Sequence, residues 1–151
     1  MLSDFDLGYV CGLIDGEGYI GFVSTQRGKN QPQYVAPRLT VTNKDISVLE
    51  WLKQTLGIGG IASNIYPRGD GAYTFYVGKR CDLEPLLETV ASHLKIKKKQ
   101  ALLMLNFLRS RRELHAVGRG CHVAYVAREL EIWKEVKGLN GRKGKHWLKE
   151  G

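Results

Sequence analysis

Apolar and polar positions change their period several times along the chain, and each change marks an element. Leu7, Val10, Leu13 and Ile14 recur at helical spacing, which predicts a first helix over 4–15. Ser3 is placed to cap it, with Asp6 three residues on. Gly16 and Gly18 follow and are expected to end it in left-handed conformations. From 19 to 27 the period falls to two. Ile20 and Phe22 alternate with Tyr19, Gly21, Val23, Thr25 and Arg27, and a polar loop over 28–33 follows. Alternation is cleaner over 34–42, where Val35, Pro37, Leu39 and Val41 face one way. Tyr34, Ala36, Arg38, Thr40 and Thr42 face the other. Two strands with one apolar and one hydrogen-bonding face make a hairpin, and Pro37 asks for an edge or a bulge.

The same order then repeats. Asp45 is a cap for a helix over 46–56, with Val48, Leu49, Trp51 and Leu52 inward and Gly57, Gly59 and Gly60 at its end. Alternation over 61–66 and 72–77, split by Pro67-Arg68-Gly69-Asp70-Gly71, predicts a second hairpin. Asp82 starts a helix over 82–94, with Pro85 in its first turn. A further helix over 98–109 carries Leu102, Leu103, Met104, Leu105 and Leu108. A basic connector covers 110–121, and a last helix covers 122–137. The order is αββαββα with an extra C-terminal helix, an α+β fold. The expected division is one domain over 1–137 and a basic tail over 138–151.

A chain of 151 residues, 43% hydrophobic and 25% charged, has the composition of one globular domain with its own core. No run of 18 apolar residues suggests a membrane span, and the N-terminus does not read as a secretory signal. Cys11, Cys81 and Cys121 stand far apart without a CxxC pair, which argues for a reducing compartment and against zinc. An intracellular protein, in a prokaryotic cytoplasm or an organelle, is expected. The net charge of +8 is uneven: residues 1–50 carry 4 basic and 6 acidic side chains, residues 51–151 carry 19 and 9. A polyanionic partner follows, with nucleic acid first and a membrane not expected.

One stretch stands apart from this pattern. Gly8, Gly12 and Gly16 fall every four residues on the first helix and line one stripe. Each costs about 1 kcal/mol against alanine inside a helix, and close approach of a second helix is what such a stripe allows. Asp15 and Glu17 close the same helix at the end where the macrodipole is already negative. A divalent cation with oxygen ligands would compensate them.

Residues Val10-Cys11-Gly12-Leu13-Ile14-Asp15-Gly16-Glu17-Gly18 resemble the LAGLIDADG motif of homing endonucleases: Gly12 to Asp15 and Gly18 are identical, and Glu17 keeps the acid. The likeness runs over about 7–108. It includes Val41-Thr42-Asn43-Lys44 and Leu94-Lys95-Ile96-Lys97-Lys98-Lys99-Gln100. The motif occurs once, which matches the single-motif, homodimeric branch. The resemblance implies a twisted four-stranded antiparallel saddle backed by helices. It also implies metal-dependent double-strand cleavage, leaving short 3′ overhangs, of a long and approximately palindromic DNA site.

Residue by residue, the resemblance makes Glu17 and the Gly16 carbonyl metal ligands, with Glu17 replacing the usual Asp. Mg²⁺ or Mn²⁺ would support cleavage and Ca²⁺ binding alone, with no small-molecule cofactor. Lys97 takes the place of the active-site lysine. Asn43 takes that of a water-holding glutamine, and Ser47 stands where some members have an arginine. Asp15 is expected to fix the helix end more than to ligate. Gly8, Cys11, Gly12, Asp15 and Gly16 would form the dimer interface. The polar strand faces and basic segments would meet DNA through Thr25, Gln26, Arg27, Gln33, Tyr34, Arg38, Thr40, Lys44, Asn64, Tyr66, Arg68, Thr74, Tyr76, Lys98, Arg142 and Lys143. Two rival readings stay open: a cleavage-inactive maturase or regulator on the same fold, and an RNA-binding or structural module driven by charge.

Overall fold

The computed structural model describes residues 1–25, 34–63, 71–117 and 125–141. Its elements follow the expected order: α1 (Asp4–Glu17), β1 (Gly18–Thr25), β2 (Tyr34–Asn43), α2 (Ile46–Leu56), β3 (Gly60–Ser63), β4 (Tyr73–Val77), α3 (Arg80–Val90), α4 (Lys98–Val117) and α5 (Ala127–Asn140). The four strands form one antiparallel sheet in the order β1-β2-β4-β3. One face carries Ile20, Val35, Leu39, Val41, Phe75 and Val77, all buried with Val10 and Ile14 of α1, Leu49 and Leu52 of α2, Leu83 and Leu87 of α3 and Met104 and Leu108 of α4. Each such side chain contributes roughly 1.5–3 kcal/mol by leaving water. The opposite face is left free of helices at Thr40, Thr42, Thr74 and Tyr76.

Several boundaries differ from the sequence reading, each for a local reason. Helix α1 continues through Gly16 to Glu17, and Gly18 is extended (φ −92°, ψ 162°) rather than left-handed. Glycine is needed there because a Cβ would collide with the Ile14 carbonyl. A left-handed glycine does end α2, at Gly57 (φ 66°), whose N–H donates to Lys53 O. Helix α3 starts at Arg80 with Lys79 as its N-cap, not at Asp82, so Pro85 lies a full turn inside it. Pro37 pairs with Phe22, whereas the β2–β4 ladder begins only at Leu39↔Val77. Its missing N–H therefore falls where β2 has run past the end of β4.

The largest departure is at the C-terminal side. Helix α4 runs on to Val117, through residues expected to form a connector, and α5 runs from Ala127 to Asn140 instead of 122–137. Arg111 is the reason α4 continues. It is 2% exposed and donates from Nη1 to Glu129 Oε2 of α5 at 3.1 Å, with Glu129 fully buried. Ser110 Oγ and the Val126 N–H also donate to this carboxylate, at 2.9 and 3.1 Å. Tyr125 lies under the Arg111 guanidinium at 4.6 Å and uses its hydroxyl on β2, donating to Val35 O and accepting from Val35 N–H. At its other end α5 reaches β1, where Asn140 Nδ2 donates to Ile20 O at 2.6 Å. The added helix thus braces the first hairpin at both ends. No helix among the described residues is long and apolar enough to cross a membrane.

Candidate functional site

The C-terminal turn of α1 carries Asp15, Gly16 and Glu17 and no basic residue. Gly16 and Glu17 are exposed, whereas Asp15 is half-buried. The Asp15 carboxylate accepts hydrogen bonds from three consecutive backbone N–H groups, those of Lys95 (2.7 Å), Ile96 (3.2 Å) and Lys97 (3.0 Å). These donors stand at the start of α4, whose first helical bond runs from Ala101 N to Lys97 O. Asp15 therefore caps a helix some 80 residues away. Lys97 returns the contact: its Nζ donates to the Asp15 carbonyl oxygen at 2.5 Å. The negative end of α1 receives an ammonium and the positive end of α4 a carboxylate. Burial pushes the Asp15 pKa up, but the three N–H donors and the Lys97 charge outweigh it and hold the carboxyl below its ordinary value.

The exchange fixes Lys97 two residues from Glu17. The register that pairs Gly18 with Val41 brings Asn43, the last residue of β2, to the same end of the sheet. Asn43 Oδ1 accepts from Asp45 N–H at 2.8 Å, and Asp45 Oδ1 accepts from Ser47 N–H and Oγ at 2.9 and 2.6 Å. These Ser47 bonds hold the exposed Asp45 carboxyl below its ordinary pKa. With its oxygen engaged, Asn43 has its amide N–H groups left to offer an incoming group. Glu17, Lys97 and Asn43, read from three separate stretches of sequence, thus share one end of the molecule.

Among the described residues no three His, Cys, Asp or Glu side chains gather as a metal cluster. The donors one chain offers at this end are the exposed Glu17 carboxylate and the Gly16 carbonyl. An all-oxygen set with so few protein ligands fits a hard cation that keeps several waters, as Mg²⁺ does.

Along α1, a Cβ added at Gly8, Gly12 or Gly16 would meet nothing within 4 Å among the described residues, so the stripe faces outward. Asp4, Leu7 and the turn at Ser92, His93 and Lys95 line a groove of about 480 Å³ beside it. Cys11 and Asp15, expected at the same interface, also line this groove, Cys11 from below. Cys11 is 5% exposed, packs into the core and points Sγ at Val90 O (4.0 Å); burial, then the Asp15 charge, pushes its thiol pKa up. The Asp15 carboxylate reaches the Lys95–Lys97 backbone from the wall of the groove. Two residues the sequence reading passed over lie on the outward face as well: Phe5, 81% exposed, and Tyr9, 47% exposed and edge-on to Trp51 at 5.0 Å. Each stands three residues before a stripe glycine, Phe5 before Gly8 and Tyr9 before Gly12, which was the available signal.

On the open sheet face, Thr42 and Thr74 Oγ1 share a hydrogen bond of 3.0 Å, and the Arg38 guanidinium lies over the Tyr76 ring at 5.6 Å. Thr40 stands between Tyr19 and Tyr76 in register. Tyr19, given no role from the sequence, donates to Phe22 O at 3.3 Å, and burial raises its pKa. Lys44 and Lys98 are exposed at the same end as Glu17. Thr25 and Tyr34 pair at the far end of the β1–β2 ladder, with side chains outside the described residues. Gln26, Arg27, Gln33, Asn64, Tyr66, Arg68, Arg142 and Lys143 lie outside the described residues altogether.

A family model described as a LAGLIDADG-like domain matches residues 4–100, and the chain belongs to the LAGLIDADG homing endonuclease family. It is similar to the archaeal intron-encoded homing endonuclease I-Vdi141I, solved in complex with DNA. The two are 25% identical with a TM-score of 0.74, over 93% of this chain and 87% of that one. The homing endonuclease I-CvuI, solved with its target in the presence of calcium, shares the fold at 22% identity and a TM-score of 0.69, over 92% and 85% of the two chains. The LAGLIDADG meganuclease I-AabMI, bound to uncleaved DNA, is 17% identical with a TM-score of 0.62, and the 87% of this chain that aligns spans 43% of that one. No curated protein sequence matches the chain.

Proposed function

We propose that the chain is a site-specific, divalent-metal-dependent DNA endonuclease that acts inside a cell as a homodimer, binding a long and approximately palindromic duplex and leaving short 3′ overhangs. One observation carries the reading: the Asp15–Lys97 exchange holds an ammonium on the Asp15 carbonyl, two residues from an exposed Glu17 that makes no hydrogen bond or ion pair among the described residues. A carboxylate at a helix C-terminus costs stability, and this one is left free for a ligand. Relatives of the same fold solved on DNA, some in the presence of calcium or magnesium, support it.

In this reading Glu17 and the Gly16 carbonyl hold Mg²⁺ or Mn²⁺, which when bound neutralises phosphate charge and lowers the pKa of attacking water. Lys97, anchored through the Asp15 carbonyl, sits where charge develops on the phosphate oxygens or polarises the water. Asn43 donates from its amide nitrogen to position that water. Arg38, Thr40, Thr74 and Tyr76 present the sheet face to the major groove, which admits a β-ribbon. Lys44 and Lys98 flank it for backbone phosphates. The domain runs to the end of α5 at Asn140 rather than to 137, since Asn140 is bonded to β1, and the basic residues beyond it, with Arg142 and Lys143, add phosphate contacts.

The test is cleavage of a plasmid library carrying randomised inserts, with Mg²⁺ and with EDTA, beside binding measured separately in Ca²⁺. Linear product with Mg²⁺ alone, at a recurring approximately palindromic sequence, is the expected result. Specific binding without cleavage in any divalent metal would instead identify a regulator or maturase on the same fold.

A further inference from the structure

Arg38 sits in an unusual setting on the open sheet face. Its partner across β1 is Gly21, and on the other side Gly78 lies one step past the end of the β2–β4 ladder. Neither neighbour has a side chain of its own, although the Tyr19 phenol lies over Gly21, and a Cβ added at Gly78 would lie 3.8 Å from Arg38 Nε. What the guanidinium does meet is Tyr76, two residues diagonal in register, with its ring centroid 5.6 Å from Cζ. Arg38 Nε is buried and has no hydrogen-bond partner among the described residues. Tyr76 is itself seated: a Cβ at Gly60, its partner on β3, would stand 2.7 Å from the phenol oxygen and 2.8 Å from Cζ. The ring therefore lies across Gly60, and only a glycine leaves it that room.

We propose that Tyr76 is a positioning residue, which aims Arg38 at one guanine in each half of the bound duplex and makes no base contact of its own. The inference rests on the sheet face reading DNA, as above. Guanine O6 and N7 pair with two guanidinium N–H groups at once, so recognition needs the plane of the fork fixed. The two flanking glycines contribute no side chain of their own to fix that plane. The aromatic face supplies that restraint by attraction between the cation and the ring quadrupole. The burial of Nε leaves the two terminal nitrogens for the base edge. Tyr76 spread across Gly60 has its phenol directed along the sheet toward β3.

The experiment selects duplexes from a randomised double-stranded DNA pool in Ca²⁺ with the wild-type chain and four variants, Tyr76→Phe, Tyr76→Leu, Arg38→Ala and Tyr76→Leu/Arg38→Ala. Leucine keeps apolar cover over Gly60 and lacks the π face. Tyr76→Phe is expected to keep the wild-type preference. Tyr76→Leu should relax preference for guanine at the same base pair as Arg38→Ala, by roughly tenfold for one bidentate contact. The double variant should be no less selective than Arg38→Ala. Loss at a different base pair in Tyr76→Leu, an additive loss in the double variant, or unchanged selection by Tyr76→Leu would each overturn the proposal. Selection of no sequence by the wild-type chain would overturn the functional reading itself, and is told apart from those results by the wild-type arm.

Discussion

At the residue scale the acid pair of the motif divides its labour by geometry. Asp15 is spent on three N–H donors, and Glu17 on no hydrogen bond or ion pair among the described residues. Asp15→Asn replaces one acceptor oxygen by an N–H donor facing other donors, and should cost on the order of 1–2 kcal/mol at neutral pH. Because the folded-state pKa of Asp15 is depressed, its charge stabilises the protein above the unfolded-state carboxylate value. That contribution is lost as pH falls through the folded value. Melting curves of the two proteins should therefore differ at pH 7 and converge in acid; a gap that widened in acid would contradict the capping role. Glu17→Gln should keep the fold and specific DNA binding and abolish cleavage in Mg²⁺, read by single-turnover kinetics beside binding in Ca²⁺. Near wild-type cleavage would remove Glu17 as a ligand. Lys97→Ala should slow cleavage strongly while leaving metal-dependent binding in place, and Asn43→Ala should fall between them, since solvent partly replaces an amide donor. That Glu17, Lys97 and Asn43 belong to one end of the molecule was legible through the wider resemblance, which spans all three stretches. The Asp15–Lys97 exchange was not, because neither partner's own surroundings in sequence point to a contact so distant along the chain.

At the element scale, legibility followed the clarity of the period. The β1–β2 ladder was readable because alternation is unbroken from Tyr34 to Thr42, and α2 because Asp45 and Gly57 punctuate it. The end of α4 was not. Arg109, Arg111, Arg112 and Glu113 look like a solvated run, yet Arg111 turns inward to Glu129 while Arg109 and Arg112 pair with Glu88 and Glu84 of α3 at 3.3 and 2.8 Å. A buried pair is weak evidence of net stability, but breaking one is costly, about 3–5 kcal/mol. Glu129→Ala should therefore lower the melting temperature by roughly 10 °C, at 2–4 °C per kcal/mol for a chain of this size. It should loosen the first hairpin as well, since Tyr125 and Asn140 tie α5 to Val35 and Ile20. Hydrogen exchange at Val35 and Ile20 measures that second effect. Substituting the exposed Lys99, which pairs with Glu135 across the same two helices at 2.9 Å, should move neither by more than about 1 kcal/mol.

At the scale of the whole molecule, the outward glycine stripe asks for a second copy of the chain. Gly8, Gly12 and Gly16 cost helix stability of about 1 kcal/mol each, and no atom among the described residues comes within 4 Å of where their Cβ would be. Phe5 and Tyr9 are exposed on the same face, where water contact is unfavourable for aromatic carbon. Packing this face on its twin about a two-fold axis would cover both and bring the two Glu17 carboxylates together. Their repulsion then needs cations, so assembly and the metal site are one construction. Gly12→Leu separates this account from a merely tolerant surface. A Cβ here meets nothing within 4 Å among the described residues, and leucine improves helix propensity, so the isolated subunit should melt no lower than wild type. Across a close helix pair the same side chain cannot be accommodated, and sedimentation at micromolar concentration should show a monomer where wild type is a dimer. Cleavage of both strands should be lost with it, because one subunit carries one Glu17. A wild-type protein that sediments as a monomer and still makes double-strand breaks, or a Gly12→Leu variant that stays dimeric and active, would refute this arrangement.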